Sequence, residues 1–124
     1  MSAIADPVPV ILPSDWYIFH VIDGVDIDRP GIYQWKIEGS GSYIGKYGHI
    51  SRPTKRYGWN VSRMLNGKPP SSGNPQFRRV HHALLKAHKD KKRIELIILE
   101  NVSPDRINQR ERDLITQLCG NLND

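Results

Sequence analysis

The chain of 124 residues has a single cysteine, Cys119, so it can form no internal disulfide and offers no thiolate set for structural zinc; a reducing, cytoplasmic setting is the expectation. It lacks any uninterrupted apolar run near the roughly 20 residues of a membrane span. The nearest approach, residues 8–22, is broken by Pro13, Asp15 and His20 and lacks the basic start and small-residue cleavage site of a signal peptide, so no membrane partner is expected. Negative charge is in the minority, with 13 acidic against 18 basic side chains and a net charge of +5. That balance favours an acidic partner such as nucleic acid, although many plain soluble domains share it. Metal-ligand clusters are also wanting. Asp15, Asp23, Asp26 and Asp28 match no cation-binding loop and read as turn residues, while His81, His82 and His88 fall on different helix faces with no acid or cysteine to complete a set. The length suits one domain with a real core and leaves no room for a second independent module.

What the chain does have is concentrated between residues 31 and 56. Two short apolar-aromatic runs, residues 31–37 and 42–45, flank a Glu-Gly-Ser-Gly turn, which predicts a hairpin with Tyr33 and Tyr43 side by side. Upstream, residues 1–28 form a Pro-rich arm whose segment 16–22 reads as an additional strand or a packing strap. Downstream, Pro53 and the Asn66-Gly67 pair bound a helix over about residues 53–66, weakened by Gly58 by about 1 kcal/mol relative to alanine. Asn74 as cap and Pro75 as first residue predict a helix over 75–89 with Phe77, Val80, Leu84 and Ala87 as its apolar stripe. Arg63, Arg78, Arg79, Lys86, Lys89, Lys91, Lys92 and Arg93 supply basic charge along these helices and the turn after them. They are candidate phosphate contacts or simply a solvated charged face.

Residues 94–99, IELIIL, are the clearest strand, and Ser103 with Pro104 opens a final helix that runs to about Cys119 and ends at Gly120. Its apolar stripe is Ile107, Leu114, Ile115 and Leu118, with Glu111 in the middle. A carboxylate on a core-facing stripe is costly unless compensated, so Glu111 is expected either to pair with a structural arginine or escape to the helix edge, or to hold a hard divalent ion. Such an ion needs only one or two protein carboxylates when water and substrate phosphate complete its shell.

Taken together, residues 29–124 resemble the GIY-YIG nuclease superfamily. Both tripeptides that name the family are present unaltered, as Gly31, Ile32, Tyr33 and as Tyr43, Ile44, Gly45. Lys46 directly after the second tripeptide, and the spacing from Glu111 to Asn123, are similar to the pattern of the family's excision-repair members. The family's arginine matches Arg56, its metal-binding glutamate Glu111 and its late asparagine Asn123. The interval from Tyr43 to Arg56 is about three residues longer than is usual, which makes Arg52 an alternative. Where the family often has a tyrosine or histidine one turn after the arginine, this chain has Asn60, with Tyr57, Tyr47 and His49 nearby; Asn121 competes with Asn123.

The resemblance implies a small α/β domain with a central three-stranded antiparallel sheet flanked by helices, preceded by the N-terminal arm. It implies an endonuclease that hydrolyses phosphodiesters, DNA before RNA, with one Mg2+ or Mn2+ ion. In that scheme Glu111 holds the metal, and Tyr43 is the general base, helped by a cation because a free phenol has a pKa near 10. Tyr33 orients water or phosphate, or exchanges roles with Tyr43. Lys46 and Arg56 supply positive charge, and Asn123 braces the site. Two other classes of function remain: a catalytically silent nucleic-acid-binding module on the same fold, and a subunit that docks a larger protein or a second copy of itself.

Overall fold

Glycines at positive φ, Gly39 at 82° and Gly41 at 117°, reverse the chain between strands β2 (Gly31–Ile37) and β3 (Gly41–Tyr47), which pair antiparallel as the hairpin reading expects. The structure is a computed structural model and describes residues 8–123; the start of the arm, residues 1–7, lies outside the described residues. The register sets Gly31 opposite Tyr47, Tyr33 opposite Gly45 and Trp35 opposite Tyr43. This pairing gives the tripeptides a physical meaning. A Cβ on Gly45 would stand 2.3 Å from the Tyr33 ring and hydroxyl, and one on Gly31 would stand 2.4 Å from the Glu100 carbonyl oxygen. Each glycine therefore vacates the space its neighbours need.

The β-branched run becomes β4 (Ile94–Asn101), antiparallel to β2 on its other side, with a bulge between Ile32 and Tyr33. The expected three-stranded antiparallel sheet needs correction here. The sheet has four strands in the order β1-β4-β2-β3 and is mixed, because β1 (Ile18–Val21) runs parallel to β4. The arm is held in place by aromatic packing, with Trp16 stacked on Trp35 at 5.5 Å and Tyr17 edge-on to the same ring at 5.2 Å. Tyr17 also donates its hydroxyl to the Thr54 carbonyl at 3.1 Å. The loop after β1 then crosses the end of β4, where the Asn101 side chain accepts from the Asp26 N–H at 2.8 Å and donates to its carbonyl at 2.7 Å. A crossing there forces β2 to return antiparallel and leaves β1 parallel to β4.

One face of the sheet is covered by α1 (Tyr57–Leu65) and α2 (Arg79–Lys89), the other by α3 (Ile107–Gln117). The first face buries Tyr33, Trp35, Tyr47, Tyr57, Val61, Val80, Leu84 and Leu96 in one cluster. The second buries a smaller one, Ile32, Ile44 and Leu114. A wider π-helical turn, Arg52–Arg56, leads into α1, and together they match the helix expected at 53–66. At Gly58, expected to weaken this helix, an added Cβ would stand 3.6 Å from the Trp16 ring, in ordinary contact.

Helix α2 begins later than expected because Asn74 spends its side chain on Ser72, at 3.1 Å, while His81 Nδ1 accepts the Arg78 backbone N–H at 3.2 Å and caps the helix. The end of α3 also differs. Cys119, not Gly120, adopts the left-handed conformation with φ 53°, and the Gly120 N–H returns to the Ile115 carbonyl at 2.9 Å. Gly120 is needed for space, since a Cβ there would lie 2.5 Å from Asn123 Oδ1. Among the described residues no helix is long and apolar enough to cross a membrane.

Candidate functional site

The odd-numbered residues of β2 and β3 point toward α1 and α2, so Tyr33 and Tyr43 meet Tyr57, the first residue of α1, on one face. Ring centroids lie 5.9 Å apart for Tyr33 and Tyr57, and 6.3 Å for Tyr43 with either of the others. The Tyr33 and Tyr57 hydroxyls share a hydrogen bond of 2.5 Å. Arg78, at the N-cap of α2, closes the cluster by donating from Nη1 to the Tyr43 hydroxyl at 2.8 Å and from Nη2 to the Tyr57 hydroxyl at 3.2 Å. Its guanidinium also lies 5.4 Å from the Tyr43 ring centre and 5.6 Å from that of Tyr57, within cation–π range.

The electrostatics separate the three phenols. Burial holds the Tyr33 hydroxyl well above the ordinary tyrosine pKa, reinforced by its tyrosine neighbours. Burial likewise pushes Tyr57 up to about 12, against the opposing pull of Arg78. Both are neutral hydrogen-bonding groups at neutral pH. Tyr43 is only partly buried and presents its hydroxyl at the rim. His81, on the turn above, is pushed down to about 4, first by burial and then by the charges of Arg78 and His82.

Arg78, named in the sequence only as one of several phosphate contacts, is the cation that touches the tyrosines. Arg56 is exposed, because after the π-helical turn the inward place goes to Tyr57. Arg56 and Arg52 instead wall a cleft of about 500 Å³ that Tyr57, Asn60, Arg78 and His81 also line.

The remaining candidates divide by face. Lys46 points to the α3 side and donates to Asn108 Oδ1. Glu111, on α3, is half-buried as its stripe position suggested, and no hydrogen bond or ion pair reaches its carboxylate among the described residues. Neither a structural arginine nor Lys46 compensates it. Asn123 accepts from the Ile44 N–H at 2.8 Å and donates to the Ile44 carbonyl at 2.7 Å. Asn121 does the same one step earlier, accepting from Ser42 N–H and donating to the Ser40 carbonyl, both at 2.8 Å. Both asparagines thus fasten β3 beside the site.

Of the accessory candidates, Tyr47 is buried with no hydrogen-bond partner for its hydroxyl among the described residues, and His49 bonds Ser51. Asn60 is buried, donating to the Arg56 carbonyl at 3.1 Å and accepting from the Ser71 N–H at 3.1 Å. The basic lobe does not act as a unit. Arg63 donates to the Pro69 carbonyl, Lys86 pairs with Asp90 and Arg93 with Glu95, while Lys89, Lys91 and Lys92 are exposed around the end of α2.

Neither a scan against protein-family models nor searches of curated proteins and of solved structures returned a match.

Proposed function

We propose that this chain is a divalent-metal-dependent endonuclease of the GIY-YIG type, acting on nucleic-acid phosphodiesters, DNA before RNA, in a reducing cytoplasmic setting. The observation that carries this reading is the convergence of the Tyr33, Tyr43 and Tyr57 hydroxyls with Arg78 beside a cationic cleft. Phosphodiester hydrolysis requires a base for the attacking water, positive charge on the phosphorane and stabilisation of the leaving oxygen.

Tyr43 supplies the base, since its hydroxyl is at the rim and contacts a cation. Tyr33 and Tyr57, held neutral by burial, orient water or a phosphate oxygen by hydrogen bonds. Arg78 takes the role that the sequence resemblance gave to Arg56, fixing the Tyr43 hydroxyl and neutralising charge on the phosphorane. Asn123 holds β3, and with it Tyr43, in register.

Glu111, which α3 places on the sheet face opposite the tyrosine–Arg78 cluster, would hold the Mg2+ or Mn2+ ion, and this reading requires the scissile phosphate to meet both across the outer edge of β3. A half-buried carboxylate without a protein partner suits an ion that takes one or two carboxylates and completes its shell with water and phosphate. No group of three or more His, Cys, Asp or Glu side chains that could hold a metal ion stands together among the described residues, so on this reading Glu111 would be the protein's one carboxylate on the ion, with water and phosphate as the rest of its shell. When bound, such an ion polarises a phosphate oxygen and stabilises the leaving 3′-oxygen.

The test is cleavage of supercoiled plasmid, a branched DNA and an RNA, each with Mg2+ or with EDTA. Metal-dependent cutting that Glu111→Ala abolishes is expected. Absence of cutting by the wild type, or undiminished cutting by Glu111→Ala, would overturn the assignment. Salt-sensitive binding without cutting would leave the silent binding module.

A further inference from the structure

The cleft beside the tyrosine cluster has a chemical character of its own. Arg52 and Arg56 face it from the π-helical turn and Arg78 from the cap of α2, and no carboxylate lines it. No hydrogen bond or ion pair reaches the Arg52 or Arg56 guanidinium among the described residues. Three guanidiniums around one cleft without an acid make a strongly positive concavity.

Trp59 completes the wall. It is 54% exposed on a helix whose other aromatic, Tyr57, is buried, and it pairs with no other ring among the described residues. A large apolar ring left in water beside uncompensated cations is the pairing that single-stranded nucleic-acid sites use, the cations tracking phosphates and the ring stacking a base. Ser72 and Asn74 add hydrogen-bonding groups to the same cleft.

We propose that this cleft is a subsite for an unpaired nucleotide, with Trp59 as its stacking platform and Arg52 and Arg56 on its phosphates, and that the chain prefers single-stranded or branched nucleic acid to continuous duplex. The proposal rests on the nuclease reading of the neighbouring tyrosines and adds the substrate class. In a continuous duplex both faces of each base are stacked on neighbours, so a base reaches Trp59 only after extrusion, at a cost a single strand or flap does not bear.

The experiment is fluorescence anisotropy in EDTA with three labelled DNAs of equal length: a single strand, a blunt duplex and a duplex with a single-stranded flap. Wild-type protein is expected to bind the single strand and the flap about tenfold more tightly than the blunt duplex, and Trp59→Ala to lose about that factor on both. Trp59→Phe keeps most of it. Arg52→Ala and Arg56→Ala each reduce the slope of log affinity against log salt by about 0.7 for the single strand. Trp59 is exposed, so a thermal melt unchanged from wild type accompanies the loss. Single-strand binding by Trp59→Ala equal to wild type, or equal binding of blunt duplex and flap by wild type, overturns the subsite. Because binding is read without metal, a wild type that shows the Trp59 dependence but cuts nothing supports the subsite while refuting the nuclease. One that cuts with Mg2+ but ignores Trp59→Ala refutes the subsite alone.

Discussion

The two faces of the sheet are made from the same strands yet are built for different tasks. Toward α1 and α2, large rings and branched side chains form one deep cluster whose polar rim is Tyr43, Tyr57 and Arg78. Toward α3 there is a thin seam of Ile32, Ile44 and Leu114, edged by polar contacts such as Lys46 with Asn108 and Arg110 with Glu100 at 2.5 Å. Hydroxyls anchored in a packed core are held in fixed positions, which is what transition-state stabilisation requires. A partner-free carboxylate over a thin seam contributes little to the fold. Stability and activity should therefore be coupled on the first face and separable on the second.

The strongest way to break this comparison is to remove the cation of the first face. Arg78→Ala is expected to lower kcat by about 10²- to 10³-fold, and Arg78→Lys to recover little, because a single ammonium cannot bridge two hydroxyls as the fork does. Arg56→Ala should cost less than about tenfold under the same plasmid-cleavage assay, and an equal loss in both variants would return the role to Arg56. Next in size, Gly45→Ala drives a methyl into the Tyr33 ring and should cost about 3 kcal/mol in chemical denaturation. Gly48→Ala, with nothing within 4 Å of its new Cβ, should stay within about 0.5 kcal/mol. Glu111→Ala should melt like wild type while losing cleavage.

A pH series sharpens the comparison further. His81 has a folded pKa of about 4 against 6.5 for the free side chain, because burial and Arg78 disfavour its charged form. Between those values the unfolded chain binds the extra proton. His81 therefore contributes full stability above about pH 6.5, which declines by up to about 2–3 kcal/mol as pH falls to 4 and is level below that. His81→Gln should flatten that portion of the curve measured by denaturant titration; an unchanged slope would assign it to other groups. A smaller stability loss than that at Gly45 is expected at Asn123→Ala, which leaves the Ile44 N–H and carbonyl without their partner and should cost about 1–2 kcal/mol in chemical denaturation.

Much of the fold was legible wherever local chemistry is decisive. The glycine turn, the tyrosine-bearing strands and the β-branched run all carry their signals within a few residues, and all form as expected. The arm's strand was one of two readings, because its place depends on Trp16 and Tyr17 finding Trp35, a contact between distant segments. The start of α2 was misplaced because Asn74 and Pro75 are good openers, yet a histidine cap three residues inside the helix prevailed. Arg78 was seen only as charge, since nothing in its immediate sequence says that two tyrosines lie across the fold from it. Glu111 was legible as a carboxylate in an apolar stripe, but the lack of a protein partner needed coordinates.

The asparagine fasteners, residues 121–123, also decide which strand edges stay open. By occupying the outward backbone groups of Ser42 and Ile44, with Leu122 N–H on the Ser42 carbonyl at 3.0 Å, residues 121–123 cover the first half of the outer margin of β3. The opposite margin, β1, is short, exposed and apolar, with Ile18, Phe19 and Val21 each about two-fifths accessible. Among the described residues, the strand edge that lacks such fasteners along its whole length is therefore that of β1, the kind of edge on which strand addition occurs.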